Sequence, residues 1–418
     1  MKIVILAYGS RGDVQPVVAL GRGLKAAGFE LTIAAGSDFK DFVEGAGLNF
    51  AGFSSNMQDL VNSDAGKDWL GGNDNALREI QAMRRMINTM SEGVISEVLR
   101  ITADADVIVS GLPLFITAQT IAEYKHKIHI NLQLSPFSPT KHGRATMYPA
   151  LPQHNTFANI IAGYIGQYAL YWVFKDVSNA FRQDLGLAPM LFRDYATAYN
   201  QDVPILYGVS KHIITDPDDW HNNSHITGYW FYDAPSDWQP SQDLLDFLDN
   251  GEKPIYIGFG SMPDKNPQAT VQMMLDALAQ TGKRGIIHTG WAGLQAEQLP
   301  DDIFLLNRAP FDWLFPQMEA LIHHGGSGTT SAAIRAGVPC TVVSHMGDQP
   351  YWGRRVHELG MGSKPIERHK LTTQHLVRMI DEMTQSDNMK NTAQAMSKKL
   401  KQENGVAEAV RVFQKLLG

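Results

Sequence analysis

Short apolar runs recur along this chain, and most are followed by a stretch whose apolar residues return every three or four positions. The runs predict strands buried on both faces, the longer stretches predict amphipathic helices, and their alternation predicts parallel α/β sheets rather than a sandwich or a bundle. In the first half, Lys2–Ala7, Glu30–Ala34, Val107–Ser110, Ile128–Asn131 and Pro204–Tyr207 read as strands. In the second half, Pro254–Phe259, Gly285–Thr289, Ile303–Leu306, Ala320–His323 and Val338–Val343 do, with helical stretches such as Pro267–Thr281 and Thr329–Ala336 between them.

The scheme breaks at Tyr232-Asp-Ala-Pro-Ser-Asp-Trp-Gln-Pro-Ser241, which is rich in proline and turn formers. This predicts a linker over residues 232–241 between an N-terminal domain, 1–231, and a C-terminal domain, 242–418, whose last helix can pack back on the first. A chain of 418 residues exceeds what one core supports, which also favours two domains. Both would be Rossmann-like, doubly wound parallel sheets, and such sheets bind ligands beyond the carboxyl ends of their strands. The expected site is an interdomain cleft between two facing domains.

Composition narrows the function. A net charge of -7 gives no basic face for nucleic acid. The single cysteine, Cys340, sits in an apolar run and cannot form an internal disulfide. No signal-peptide pattern precedes the first strand, so a reduced, cytoplasmic protein is expected. The apolar segment Ile160–Phe174 is shorter than the roughly 20 residues a membrane span needs and is broken by Gly163, Gly166 and Gln167. It predicts a buried or acceptor-lining helix, with at most peripheral membrane contact.

The densest chemistry lies in Ala320-Leu-Ile-His-His-Gly-Gly-Ser-Gly-Thr-Thr330, a short strand running into a glycine-rich turn and a helix start. That arrangement aims backbone N–H groups and the positive end of a helix dipole at a phosphate. After the next strand come Asp348 and Gln349, an acceptor and a donor suited to sugar hydroxyls. Together they predict a nucleotide-sugar site.

Near the N-terminus, Tyr8-Gly-Ser-Arg-Gly-Asp-Val-Gln-Pro16 leads into a helix running to Ala27, with Gly28 as its stop and Pro16 in its first turn. From the loop alone, Asp13 has two roles open to it: a helix cap, or a base that takes a proton from an acceptor hydroxyl. Gly9 and Gly12 do not make the Gly-x-Gly-x-x-Gly of a nicotinamide fold.

At four places the chain resembles the family 1 glycosyltransferases of the GT-B fold, most closely the sterol 3-β-glucosyltransferase-like and antibiotic branch. These are Gly9-Ser-Arg-Gly-Asp13, Gly228-Tyr-Trp230, Pro254-Ile-Tyr-Ile-Gly-Phe-Gly-Ser-Met262, and the stretch Asp312 to Val356 with its Gly347-Asp-Gln-Pro-Tyr-Trp-Gly353. The resemblance implies a UDP-sugar donor held by the C-terminal domain, an apolar acceptor held by the N-terminal domain, and inverting, metal-independent transfer with no cofactor. It places His324 at the diphosphate with Gly325, Gly326, Ser327, Gly328 and Thr329, and adds Ser261, Ser10 and Arg11 to the donor site. Asp348 and Gln349 would hold the sugar, and Arg308 with Ala309 would replace the tryptophan that stacks the base in plant members. Asp13 takes the place of the catalytic base, whereas the partner aspartate of plant members corresponds here to Ser110.

Met57, Met83, Met86 and Met90, with Phe115, Phe137, Met147 and Tyr148, read either as core or as an adaptable acceptor pocket, to which Tyr168 and Trp172 add aromatic surface. The histidine pairs His126/His129 and His221/His225 lack the cysteine or carboxylate company of a metal shell, so no metal is expected. The function expected is O-glycosylation of a sterol, polyphenol or polyketide, by a monomer or homodimer. A UDP-sugar epimerase and a non-catalytic nucleotide-sugar-binding protein are the alternatives.

Overall fold

A computed structural model describes the whole chain except residues 55–75, 235–237, 261–265 and 289–298. Met57, Ser261 and the middle of the expected linker therefore lie outside the described residues. The chain divides into two compact units, Met1–Tyr232 with Asn404–Gly418, and Asp233–Glu403.

The first unit is built on seven parallel strands: β1 (Lys2–Leu6), β2 (Glu30–Gly36), β3 (Asn49–Phe53), β4 (Val107–Ser110), β5 (Ile128–Gln133), β6 (Ile205–Tyr207) and β7 (Ser224–Ile226). Their order is β3-β2-β1-β4-β5-β6-β7. The chain winds outward from β1 in both directions, so the switch point lies between β1 and β4, where Leu6 pairs with Ser110. The two edge strands that a hydrophobic reading passes over are short or lightly buried. Asn49–Phe53 buries only Phe53 fully, and Ser224–Ile226 is partly exposed throughout.

Helix α1 (Arg11–Ala26) covers one face of this sheet through Val14, Val17, Val18, Leu20 and Leu24. Its start corrects one expectation. Ser10 caps it at Arg11, so Pro16 falls inside the helix, one turn later than a first-turn proline. Helix α2 (Phe157–Asp184) lies elsewhere in the same unit and buries Asn159, Gly163, Gln167, Tyr171 and Val173. It is not the buried helix its aromatic content suggests, because Phe157, Ile161, Tyr164, Ile165 and Tyr168 are exposed.

The second unit repeats the winding with β8 (Ile255–Gly258), β9 (Gly285–His288), β10 (Ile303–Leu306), β11 (Ala320–His323), β12 (Cys340–Ser344) and β13 (Ile366–Glu367), ordered β10-β9-β8-β11-β12-β13 and parallel throughout. Strands β8, β11 and β12 are buried along their whole length, as expected where helices cover both faces. Their Ile255, Ile257, Ile322 and Val343 pack with Met274, Leu278, Leu376 and Met383 in the core. Helices α3 (Ser327–Ala336) and α4 (Gln349–Glu358) follow β11 and β12. Among the described residues no helix is long and apolar enough to cross a membrane.

Helix α5 (Gly405–Leu417) belongs to the first unit although it follows the second in sequence. Its Ala409, Val412 and Phe413 join the core formed by Val17, Leu20 and Leu24 of α1. Gly405 lies against the backbone at residues 228 and 229, where an added Cβ would come within 2.4 Å of the Tyr229 carbonyl oxygen.

Candidate active site

Each unit places its candidate chemistry at the carboxyl ends of the strands that flank its switch point. In the second unit those strands are β8 and β11, and His324 is the first residue past β11. The chain turns at Gly325, whose φ of +94° is costly for any residue with a side chain. A Cβ at Gly325 would also meet Val342 at 2.4 Å. The turn delivers Gly326 as the first boundary residue of α3, and no side chain caps the helix there. The hydroxyls of Thr330 and Ser331 point back to the carbonyls of Gly326 and Gly328, at 3.0 and 2.9 Å, and so leave the helix opening to an outside acceptor. A ten-residue helix that begins without a cap presents its first-turn N–H groups and dipole to an anion.

The His324 ring is set between two glycine loops. A Cβ at Gly260, on the loop after β8, would lie 2.9 Å from its Cε1, and one at Gly326 would lie 2.7 Å from its Nε2. Burial, with His345 and His288 nearby, pushes the imidazole down to about 4. His324 is therefore neutral near pH 7 and carries one N–H. Its Nδ1 is buried without a hydrogen-bond partner, an unmet polar group beside an uncapped helix end. His323 instead turns into the core, fully buried, where its Nδ1 accepts the Gly325 N–H at 3.1 Å and burial pushes it down to about 3. Ser327 and Thr329 are half-buried at the helix start and Gly328 is exposed.

Across β12, Asp348 is the boundary residue of α4. The buried indole of Trp352 donates its Nε1–H to Asp348 Oδ2 at 2.7 Å, which fixes the carboxylate. The Gln349 side-chain oxygen accepts the N–H groups of His345 and Met346 at 2.7 and 3.1 Å. Gln349 thus shapes the loop that carries Asp348. Arg308 is exposed and Ala309 half-buried in the segment after β10.

In the first unit the loop after β1 holds Gly9, Ser10, Arg11 and Asp13. Asp13 Oδ2 accepts the Ser10 N–H at 2.8 Å and lies 3.1 Å from the Ser10 hydroxyl, and Ser10 Oγ in turn accepts the Gly12 N–H at 3.2 Å. This is a closed capping box with Asp13 at the third helical position. A Cβ at Gly9 would meet the Asp13 carboxylate at 2.3 Å, so the glycine lets that carboxylate lie against the chain. Asp13 is nonetheless an exposed residue, and Arg11 hydrogen-bonds Gln15 at 2.9 Å while stacking over Phe42.

A partnership that motif reading missed lies beneath the same switch point. Ser110 Oγ is 2.9 Å from His129 Nε2, and His129 Nδ1 is 2.8 Å from Gln119 Oε1. Ser110 and His129 are buried on the neighbouring strands β4 and β5, where burial pushes His129 down to about 3. His126, three residues earlier, is exposed. Among the described residues the one carboxylate and histidine group of metal-ligating geometry is His142 with Asp218 and Asp219. Asp218 accepts from His142 Nε2 at 2.8 Å and pairs with Lys141 at 3.0 Å, which pulls it down to about 2, and Asp219 accepts from Thr140 and the Lys141 N–H.

The proposed acceptor residues separate into two groups. Met86, Phe115 and Phe137 are core residues, Phe115 packing on His129, Tyr195 and Tyr199 and Phe137 on Tyr148 and Tyr199. Met147 and Trp172 are half-buried, the latter beneath Arg84, whereas Tyr148 and Tyr168 are exposed.

Known proteins resemble the chain on both units. Residues 3–128 match the glycosyltransferase family 28 N-terminal domain, and residues 272–416 match the erythromycin biosynthesis protein CIII-like C-terminal domain. The sterol 3-beta-glucosyltransferases UGT80A2 and UGT80B1 of Arabidopsis thaliana are 33% and 32% identical to the chain. Each alignment takes in all of this chain, which spans 66% of the first relative's length and 68% of the second's. Among solved structures, the glycotransferase of kitacinnamycin superposes with a TM-score of 0.74 at 16% identity, over 100% of this chain and 99% of that one. The glycosyltransferase VinC, solved in complex with DTDP, gives 0.66 at 18% identity over 99% of each chain. These likenesses in fold are to GT-B enzymes. With the relatives' identity running the whole length of the chain, they make it a member of the GT1 glycosyltransferase family, homologous to the sterol 3-beta-glucosyltransferases and the antibiotic glycosyltransferases.

Proposed function

We propose that this chain is an inverting O-glycosyltransferase that moves a hexose, glucose in the first instance, from a UDP-sugar to a hydroxyl of a bulky apolar acceptor such as a sterol, polyphenol or polyketide. The observation that carries the reading is the uncapped start of α3 beside a buried, unpartnered imidazole nitrogen. The diphosphate would take that place, its charge met by backbone N–H groups, the helix dipole and the His324 N–H. Asp348 would accept hydrogen bonds from the hexose hydroxyls, and Arg308 would lie along the base. The glucosyltransferase relatives support glucose. The DTDP of VinC belongs to a more distant neighbour and makes dTDP the alternative nucleotide.

In the reaction, an Asp13 oxygen takes the proton of the acceptor hydroxyl, and the hydroxyl oxygen forms a bond to C1 of the sugar from the face opposite the diphosphate. The bond from C1 to the phosphate oxygen breaks, and its electron pair leaves with UDP. The exposed position of Asp13 suits this role, and its capping bonds hold the carboxylate in one orientation. Since the charge on the leaving group is met by the helix end and His324, no divalent ion is required. The buried Cys340, whose thiol burial pushes up to about 12, suits a reduced compartment, and we place the protein in the cytoplasm.

The test is incubation of the pure protein with UDP-glucose and a panel of apolar alcohols and phenols, followed by mass spectrometry, with and without EDTA. Transfer that survives EDTA is the expected result. Isomerised UDP-sugar without transfer would identify an epimerase, and donor binding with neither reaction would identify a binding protein.

A further inference from the structure

Helix α2 is built inside out along its first half. Its buried face carries Asn159, Gly163 and Gln167, each four residues from the next. The two amides are used internally, Asn159 on the carbonyls of Lys141, Leu151 and His154 and Gln167 in a reciprocal pair with Asn200. The opposite face carries Phe157, Ile161, Tyr164, Ile165 and Tyr168, each with 40% to 71% of its surface exposed. Steps of four, three, one and three residues place these on a single stripe. An amphipathic helix in water shows the reverse arrangement.

The stripe has neighbours of the same kind. Tyr148 lies against the helix at Gly166, where a Cβ would be 2.8 Å from its ring. Phe192 packs on Tyr168 at 5.1 Å and brings the exposed Leu191 alongside. Most of the large apolar side chains exposed among the described residues are gathered in this one region. A patch of this size on a folded protein marks an interaction surface.

Charge identifies what the surface meets. No Asp, Glu, Lys or Arg occurs between Arg144 and Lys175, and both of these flanking cations are exposed. Lys175 follows Tyr168 by seven residues and so shares its face. Arg193, beside Phe192, is exposed over 86% of its side chain. Three of the nearby acids have cationic partners, Asp176 with Arg84, Asp194 with Arg193 and Asp218 with Lys141, and Asp219 is held by Thr140 and the Lys141 N–H. A cationic rim around an uncharged, aromatic-rich patch stands out in a chain whose net charge is -7. Tyrosine, phenylalanine and isoleucine at headgroup depth, with cations placed at the lipid phosphates, match the layered polarity of a bilayer surface.

We propose that the first half of α2, with Tyr148, Leu191 and the cationic rim, docks the protein on an anionic lipid bilayer without crossing it. The experiment is co-sedimentation of the full chain with vesicles of phosphatidylcholine alone or with added phosphatidylserine, over a range of salt. The wild type should sediment with the anionic vesicles, less with the neutral ones, and less as salt rises. Ile161→Asp with Ile165→Asp should weaken binding by about tenfold or more, since two apolar contacts become charges, and Arg144→Ala by about fivefold. Both sites are exposed, so the circular dichroism and thermal midpoint of the variants should match the wild type. The proposal fails if the wild type stays in the supernatant with every vesicle, or if the double variant sediments like the wild type. It also fails if light scattering finds a dimer that the double variant dissociates while vesicle binding is absent, since a second copy then covers the face.

Discussion

The starts of helices α1 and α3 pose one structural problem and solve it in opposite ways. Each follows a strand beside its sheet's switch point, and each has a first turn of N–H groups without acceptors inside the helix. At α1 the chain supplies the acceptors itself, with Ser10 and Asp13 closing a reciprocal box. At α3 the boundary residue is Gly326, no side chain caps the start, and the hydroxyls of Thr330 and Ser331 bond carbonyls. The difference separates two kinds of site. A capped helix start holds a carboxylate still, and an uncapped one leaves first-turn N–H groups that an anion can meet.

The largest effect should come from removing the charge of the held carboxylate. Asp13→Asn keeps an oxygen that can accept the Ser10 N–H, so the box and the fold should survive while transfer falls by about 10²–10⁴. Donor affinity measured by calorimetry should stay within a few-fold. Near wild-type turnover would leave Asp13 as a cap only and remove the contrast.

Next in size is the open helix start. Gly326→Asp places a carboxylate where the diphosphate is expected, and His324→Ala removes the imidazole N–H. The loss of one charge-assisted hydrogen bond should weaken UDP by about 10- to 100-fold, and the added negative charge should weaken it further. Titration of UDP against each variant measures this. Unchanged affinity in the Gly326→Asp protein would show that the anion binds elsewhere.

A third prediction sharpens the comparison through pH, because both sheets carry neutral, buried imidazoles, His129 on β5 in the first and His323 and His324 at the end of β11 in the second. His129, His323 and His324 are all lowered by burial, to about 3, 3 and 4. The unfolded chain takes up protons on them near the ordinary value of about 6.5, and the folded chain does not. Their stabilising effect is therefore complete above that pH and is lost as pH falls from it toward 3 to 4, at up to about 1.4 kcal/mol per pH unit for each group. Denaturant unfolding at pH 7.5 and pH 5 should show the loss. His323→Asn, which keeps an acceptor for the Gly325 N–H, should lose about 2 kcal/mol less over that interval. An identical loss in both proteins would mean that His323 is not held neutral.

The smallest effect expected is that of Ser10→Ala, which opens the box at α1 and should cost about 1 kcal/mol in denaturant unfolding. A change of the same size in Ser327→Ala would mean that α3 is capped after all.

Sequence patterns revealed the sheet better than the surfaces around it. Strands such as Ala320–His323 are buried on both faces, so their signal is an unbroken apolar run. Asn49–Phe53 and Ile366–Glu367 are lightly buried or only two residues long, and they leave no such run. The glycine turn after His324 was visible because its spacing is local. The bond from Ser110 to His129 joins two strands and has no local signature. Pro16 was misplaced because the cap at Ser10 sits earlier than the proline suggests. The aromatic run of α2 suggested a core, since composition does not tell which side of a helix faces solvent when polar Asn159 and Gln167 take the inside.

The position of α5 also governs how this protein is made. Val17, Leu20 and Leu24 precede the whole second unit in sequence, and the Phe413 that packs with them follows it. A ribosome must translate the whole second unit before the last helix of the first can be added, so domain-by-domain folding during synthesis leaves the first unit incomplete until then. Until residue 405 emerges, the face of α1 that receives the helix is uncovered and open to chaperones. The close fit of Gly405 on the backbone at residues 228 and 229 then seats the helix in the first unit.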